Sequence, residues 1–244
     1  MPEGPEVKTV ATTLAHHLVG KELGMLWHSG ARLRRAPDYD GLKLLEHHRI
    51  DAVHVYGKVL FISINQQPLI MAQLGMTGQL KVEEQNAPLL KHTHLRWPLK
   101  NSSQELRYVD PRRFGLITSC NQQQKDAVLM RLGPDPFTWQ PKDQKKACEA
   151  MKKSERAIKE ILLDQSVIAG VGNIYASEAL FLAGIHPASS AQKISLKQFQ
   201  KLAKCICQVL SHAIEVGGTT IRNFLGSDGK PGYFKQQLWV YGRC

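Results

Sequence analysis

The chain has 244 residues, 43% of them hydrophobic, enough for one large domain or two modest ones. Its formal charge of +11 and pI of about 9.5 point to a polyanionic partner. No run approaches membrane-spanning length, no apolar signal core opens the chain, and five scattered cysteines (Cys120, Cys148, Cys205, Cys207, Cys244) lack zinc-ligand spacing, which argues against membrane, disulfide-scaffold and zinc classes.

The chain therefore reads as soluble, reduced and cytoplasmic, or nucleoid-associated. Residues 1–130 carry 16 Lys+Arg against 12 Asp+Glu, and residues 131–244 carry 16 against 9, so the second half is the stronger electrostatic anchor. In chain order, Pro5–Val19 reads as a helix with one apolar stripe: Val7, Val10, Ala11, Leu14, Ala15 and Leu18. Pro5 suits an early helical position and leaves Pro2 and Glu3 just off the N-terminal end. Short β-rich runs follow at Asp51–Tyr56, Val59–Ile64, Leu69–Leu74, Gln79–Val82, His94–Leu99, Glu105–Val109 and Phe114–Ser119. Turn residues such as Gly57, Gly75, Gly78, Asn101 and Gly115 separate them, a spacing that predicts a sandwich or barrel.

Leu132–Pro136 reads as a linker, because two prolines and a glycine stop regular structure. The remainder is helical. A short amphipathic helix is expected over Ala157–Asp164, and another over Asn173–Ala183 with Gly184 as C-cap. A long helix opens at a Ser195/Gln198 capping box and runs to Val216, with Leu196, Phe199, Leu202, Ala203, Ile206, Val209, Leu210, Ala213 and Ile214 on its buried side. Cys205 and Cys207, two apart on this helix, point away from each other.

Several clusters carry chemistry. If Met1 is trimmed, Pro2 becomes a free secondary amine beside the Glu3 carboxylate, and such an amine forms with an aldehyde an iminium that is cationic without an added proton. Gly170–Ala176 opens a helix with two glycines; its bare N–H groups suit a phosphate, or the glycines serve close packing alone. Asp110–Gly115 sets Arg112 and Arg113 beside Phe114, either a phosphate-holding wedge loop or solvated arginines over a core phenylalanine. Met76, between Gly75 and Gly78, is a second wedge or a core filler. Lys58 is an exposed charge, a proton donor or a phosphate contact. His92 and His94 alternate on a predicted strand and share a solvated or phosphate-contacting face, not a metal site. The polar, glycine-rich segment 217–234 suits reading a base edge, or is a surface loop.

Taken together, PEGPEV at the start, LGMTG at 74–78, DPRRFG at 110–115, GVGNIYASEALF at 170–181, and GGTT with SDGKPGYF in 217–234 resemble the formamidopyrimidine-DNA glycosylase / endonuclease VIII family across essentially the whole chain. The last loop and VYGR at 240–243 resemble the oxidised-purine branch; the PEGPE opening also occurs in the branch that removes oxidised pyrimidines. The resemblance implies an α+β fold: an N-terminal β-sandwich with flanking helices (1–131), a linker (132–140) and a helical DNA-binding domain with a helix–two-turn–helix motif (141–244). It implies a monomer acting on double-stranded DNA that contains oxidised bases or abasic sites. Pro2 would be the nucleophile at C1′, Glu3 a proton shuttle and Lys58 the proton donor for elimination. Met76, Arg112 and Phe114 would fill the space left when the lesion leaves the stack. His92, Arg113, Lys153 and Asn173 would hold phosphates, as would Arg112. Glu6, Lys159, Thr219, Thr220 and Arg222 would face the lesion.

One departure stands out. The family usually continues past VYGR into a hairpin carrying a four-cysteine zinc site and a phosphate-gripping arginine, whereas this sequence ends at Cys244. The expectation is a chain without metal or other cofactor and with weakened phosphate binding, which keeps a weakly active or inactive DNA-docking relative as an alternative.

Overall fold

The structure, a computed structural model, describes residues 2–65, 69–217 and 238–242. The opening helix, α1, spans Gly4–Leu18, with Pro5 in its first turn and Val7, Val10, Ala11, Leu14 and Leu18 buried as one stripe. Eight strands follow: β1 (Trp27–His28), β2 (Ile50–Tyr56), β3 (Val59–Ile64), β4 (Leu69–Gln73), β5 (Gln79–Glu84), β6 (Thr93–Pro98), β7 (Gln104–Val109) and β8 (Leu116–Cys120). They form two antiparallel four-stranded sheets, ordered β1-β6-β7-β5 and β2-β3-β4-β8. Leu60, Ile62, Ile64, Ile70, Leu80, Leu95, Trp97, Leu106 and Tyr108 fill the space between them.

Helices close both sides of this sandwich. Helix α1 packs against β2 and β5, the edge strands on one side. A short helix, α2 (Tyr39–Lys43), covers the β8 edge, where Ser119 Oγ donates to Asp38 and the Asp38 N–H donates to Thr118 Oγ1. The outer face of the second sheet is also buried. Val59, Phe61, Leu69, Met71 and Cys120 lie beneath Val128 and Leu129 of α3 (Gln122–Met130). Burial on both faces explains why β3 and β4 are near-continuous apolar runs instead of alternating ones.

The second half is a helical bundle: α4 (Pro141–Lys152), α5 (Ile158–Leu163), α6 (Asn173–Ala183) and α7 (Leu196–Glu215). Helices α5 and α6 are joined by tight turns over 164–172, with Val167 N–H donating to Asp164 O and Gly170 N–H to Gln165 Oε1. Gly184 ends α6 in the left-handed region, and Ser195 and Gln198 cap α7 reciprocally, both as the sequence predicts. Leu196 departs from expectation: it is 56% exposed, because the first turn of α7 projects past the core that Phe199 enters. No helix among the described residues is long and apolar enough to cross a membrane.

The connector at 132–140 has no regular structure, yet it is fastened at several points. Tyr56 Oη donates to Gly133 O, Gly57 N–H donates to buried Asp135, and Ala169 N–H donates to Pro134 O. At its far end Trp139 Nε1 donates to Cys207 Sγ on α7 at 3.1 Å. Helix α1 also packs directly on α7.

The first sheet carries a buried charge network. Glu105 accepts a two-pronged bond from Arg96, at 2.9 and 2.7 Å, and pairs with fully buried Arg107. Arg107 also donates to the carbonyls of Glu84, Ala87 and Pro88, which ties the loop after β5 to β7. Arg96 and Arg107 face each other across the strands, so Glu105 neutralises a like-charge pair. Replacing it in Glu105→Leu strands two guanidinium groups, one of them buried. Urea unfolding should show a loss of about 3–5 kcal/mol.

Candidate active site and nucleic-acid interface

The two halves meet at the first residues of the chain. Pro2 is buried and Glu3 precedes the first turn of α1, its N–H donating to Glu6 Oε2 at 2.9 Å. The Glu3 carboxylate reaches across to α6 and accepts the N–H groups of Ile174, at 2.9 Å, and Tyr175, at 3.4 Å. Glu6 accepts the hydroxyl of Tyr175, and Gly4 N–H donates to Gly170 O at 2.8 Å. The N–H groups that the sequence offers to a phosphate are thus partly taken from within: the positive end of α6 holds Glu3. A Cβ on Gly172 would overlap the Glu3 carboxylate, so glycine there makes room for this contact. Gly57 has φ +58°, and an added Cβ would sit 2.9 Å from that of Ala169; glycine lets the β2–β3 turn rest on the α5–α6 turns.

Burial pushes the Glu3 carboxyl up from 4.5 to about 7, against the pull of Lys58 and the two N–H groups; Glu6 adds to the rise. Burial likewise lowers the Lys58 amine, while Glu3 and Glu6 oppose that shift. Pro2 and Lys58 share the wall of a cavity of about 260 Å³ with Arg35, Gln73, Leu74, Phe114 and Gln165. The cavity therefore brings Pro2 together with an amine shifted below the ordinary lysine range, and the Glu3 carboxyl adjacent to Pro2 is poised near neutrality.

Two loops rim it. The 74–78 turn and the 110–115 loop are bound through fully buried Asp110. Asp110 accepts Thr77 Oγ1 at 2.6 Å, Tyr108 Oη at 3.2 Å and Gly115 N–H at 2.8 Å. Arg112 N–H donates in turn to Thr77 Oγ1. With the loops so held, Met76 is 45% exposed and Phe114 41% exposed. Neither is core filling. Arg112 lies 4.8 Å and Arg34 5.4 Å from the Phe114 ring centre, one cation–π contact each. Arg113 is exposed with φ +59°, and its carbonyl accepts Arg34 N–H.

The histidine pair is not as expected. His92 stands ahead of β6 with φ +69°, which breaks the alternation. His94 is buried, its Nε2 3.0 Å from Asp110 O and its Nδ1 3.3 Å from Ser29 Oγ. His92 alone is partly exposed, near the 110–115 loop, where its carbonyl accepts Asp110 N–H.

The remaining expected residues are dispersed. Asn173 is exposed at the start of α6, and its Nδ2 donates to Tyr241 Oη at 3.2 Å. Buried Glu178, which sequence reasoning missed, accepts the N–H groups of Trp239, Val240 and Tyr241 and so fixes that hydroxyl. Lys153 is exposed at the end of α4. Lys159 lines a separate cavity with Phe181, His186 and Val240, away from Pro2. Glu6 is buried in the first turn of α1, where it accepts the Tyr175 hydroxyl. Thr219, Thr220 and Arg222 lie outside the described residues. Sequence reasoning also missed Arg34, Arg35, Gln73 and Gln165, which carry no local motif. A zinc ion finds no donor set among the described residues, where no three His, Cys, Asp or Glu side chains gather.

Comparison with known proteins agrees with this geometry. Residues 1–117 match the N-terminal domain of formamidopyrimidine-DNA glycosylase and residues 132–225 match its H2TH domain. The formamidopyrimidine-DNA glycosylase of Pseudomonas savastanoi pv. phaseolicola is 43% identical over 243 residues, covering 100% of this chain and 89% of that protein. That of Stutzerimonas stutzeri is 42% identical with the same coverage. A Lactococcus lactis Fpg mutant in complex with Fapy-dG-containing DNA superposes with a TM-score of 0.90 at 31% identity, over 99% of this chain and 89% of that one. MutM in complex with DNA containing carbocyclic 8-oxo-G gives 0.88 at 32% identity, over 99% and 88%. By sequence along its whole length and by fold, the chain belongs to the formamidopyrimidine-DNA glycosylase family.

Proposed function

We propose that this protein is a bifunctional DNA glycosylase and AP lyase of base excision repair that removes oxidised purines, 8-oxoguanine and formamidopyrimidines, from double-stranded DNA. One observation carries the reading: Pro2 and Lys58 line a single cavity, with a carboxyl poised near neutral pH directly behind them. The kinds of DNA held by the solved relatives support the substrate class.

In this reading Met1 is removed. The freed Pro2 nitrogen attacks C1′ of the extruded nucleotide and the base departs with the C1′–N bond electrons. Opening of the sugar ring leaves an iminium between Pro2 and C1′. Loss of the C2′ proton sends that C–H pair into the iminium to give an enamine, and the pair then returns to form the C2′–C3′ double bond as the 3′ phosphate leaves with the C3′–O electrons. Glu3 gives and takes the proton at the ring oxygen, a task suited to a group titrating near 7. Lys58 acts as proton donor during elimination and neutralises phosphate. The iminium is the electron sink, so the chain's own groups serve without a cofactor. The protein acts as a monomer, in the cytoplasm and on the nucleoid. Arg112, Phe114 and Met76 fill the gap left by the lesion, and His92, Arg113, Lys153 and Asn173 hold phosphates.

Borohydride reduction on a lesion duplex should trap a covalent adduct whose mass maps to the N-terminal peptide, and acetylating the terminus should abolish it. A protein lacking Met1 that gave no adduct would overturn the reading. Glu3→Gln tests the proton inventory. The folded carboxyl binds its proton more tightly than the unfolded one, so its contribution to stability is fully present below about pH 4.5 and is lost as pH rises through about 7. Chemical unfolding at pH 5 and pH 8 should show Glu3→Gln gaining on the wild type by about 3 kcal/mol at the higher pH. Asp110→Ala should release both rim loops, costing about 1–3 kcal/mol in unfolding experiments and weakening lesion-duplex binding in titrations.

A further inference from the structure

The geometry points to a phosphodiester subsite at the mouth of the Pro2 cavity, formed by Arg35 and oriented by Gln73. It rests on the reading above and adds a binding residue to it. The segment between β1 and α2 carries Arg32, Arg34 and Arg35 and is fixed to the rim. Leu33 is buried, Arg34 N–H donates to Arg113 O at 3.1 Å, and Arg113 Nη1 lies 3.4 Å from Arg32 O. Arg34 then lies against the Phe114 ring while Arg35 lines the cavity together with Pro2, Lys58 and Phe114.

Arg35 Nη1 donates to Gln73 Oε1 at 3.2 Å. Gln73 is the last residue of β4, paired with Leu116, so the sheet fixes the base from which its side chain aims the guanidinium. Among the described residues one of its five N–H donors is used, which leaves the others for a ligand. Among the described residues Arg35 has no ion-pair partner. The carboxylates near this cavity, Glu3 and Glu6, are bonded to α6 and to Tyr175. A cavity walled by Arg35 and Lys58 therefore favours an anion. In the proposed reaction the anion beside the reacting sugar is a flanking phosphodiester, which a planar fork can grip through two oxygens.

The test is the salt dependence of binding to a duplex containing a tetrahydrofuran abasic analogue, measured opposite each of the four bases. Arg35→Gln should weaken binding about tenfold at ~0.1 M salt and reduce the slope of log K against log salt by about one, equally for all four opposite bases. Arg35→Lys should keep the slope with weaker affinity, because charge remains and the fork is lost. Lys100→Gln, at the opposite end of the β6–β7 hairpin from the rim, serves as a distant charge control. An Arg35→Gln slope equal to that of wild type would overturn the subsite, as would a loss that changes with the opposite base, which would mark Arg35 as a base reader. Wild type that forms no borohydride adduct would sink the glycosylase reading itself; normal trapping with an unchanged Arg35→Gln slope would sink only the subsite.

Discussion

The Glu3 carboxylate on the first turn of α6 is the contact on which the site depends. It does three things together. It joins the start of the chain to a helix about 170 residues later. It holds Pro2 in the wall of the cavity that Lys58 also lines. Its burial raises its own proton affinity into the physiological range, which an exposed glutamate would not do. Burial and the neighbouring Glu6 favour the neutral acid, whereas Lys58 and two N–H groups favour the anion, and burial wins. The glycines at 4, 57 and 170 let backbone approach backbone around this contact, and Gly172 makes room for the carboxylate itself.

The rim is organised by the same means on a smaller scale. One buried carboxylate, Asp110, replaces water for a hydroxyl, a phenol and an amide from three segments. With those groups satisfied inside, Met76 and Phe114 can stand outward, an arrangement that an apolar core would not otherwise tolerate. The arginines at 34 and 112 stack on Phe114, so positive charge and apolar surface occupy one patch, as a kinked nucleic acid requires.

Much of the fold was legible in the chain. The stripe of α1, the seven long strands, Gly184 and the Ser195/Gln198 box are local signals, and local physics decides them. Helices α2 and α3 have no counterpart among the expected elements, and α4 falls in the stretch expected to be helical without bounds of its own. Each has a capping residue ahead of it (Asp38, Asn121 and Gln140), but α3 opens with three glutamines and buries little, so its apolar period is weak. The pairing of Glu3 with α6 could not be read, since nothing at residue 3 refers to residue 174. His92 and His94 failed for a different reason: a left-handed residue resets the strand's alternation, and the histidine side chain gives no warning of it. Arg35 and Gln73 were invisible because their partnership spans 38 positions and neither belongs to a motif.

The connector between the halves has a mechanical consequence. Bonds from Tyr56, Gly57, Ala169 and Cys207 fasten it along its length, and α1 bridges to α7 beside it. A joint fastened at so many points resists relative movement of the halves it links. In the proposed reaction, the bending that brings a distorted nucleotide to the Pro2 amine then falls mainly to the double helix, and how easily a stretch of DNA flexes becomes a criterion by which sites are sorted before any base is touched.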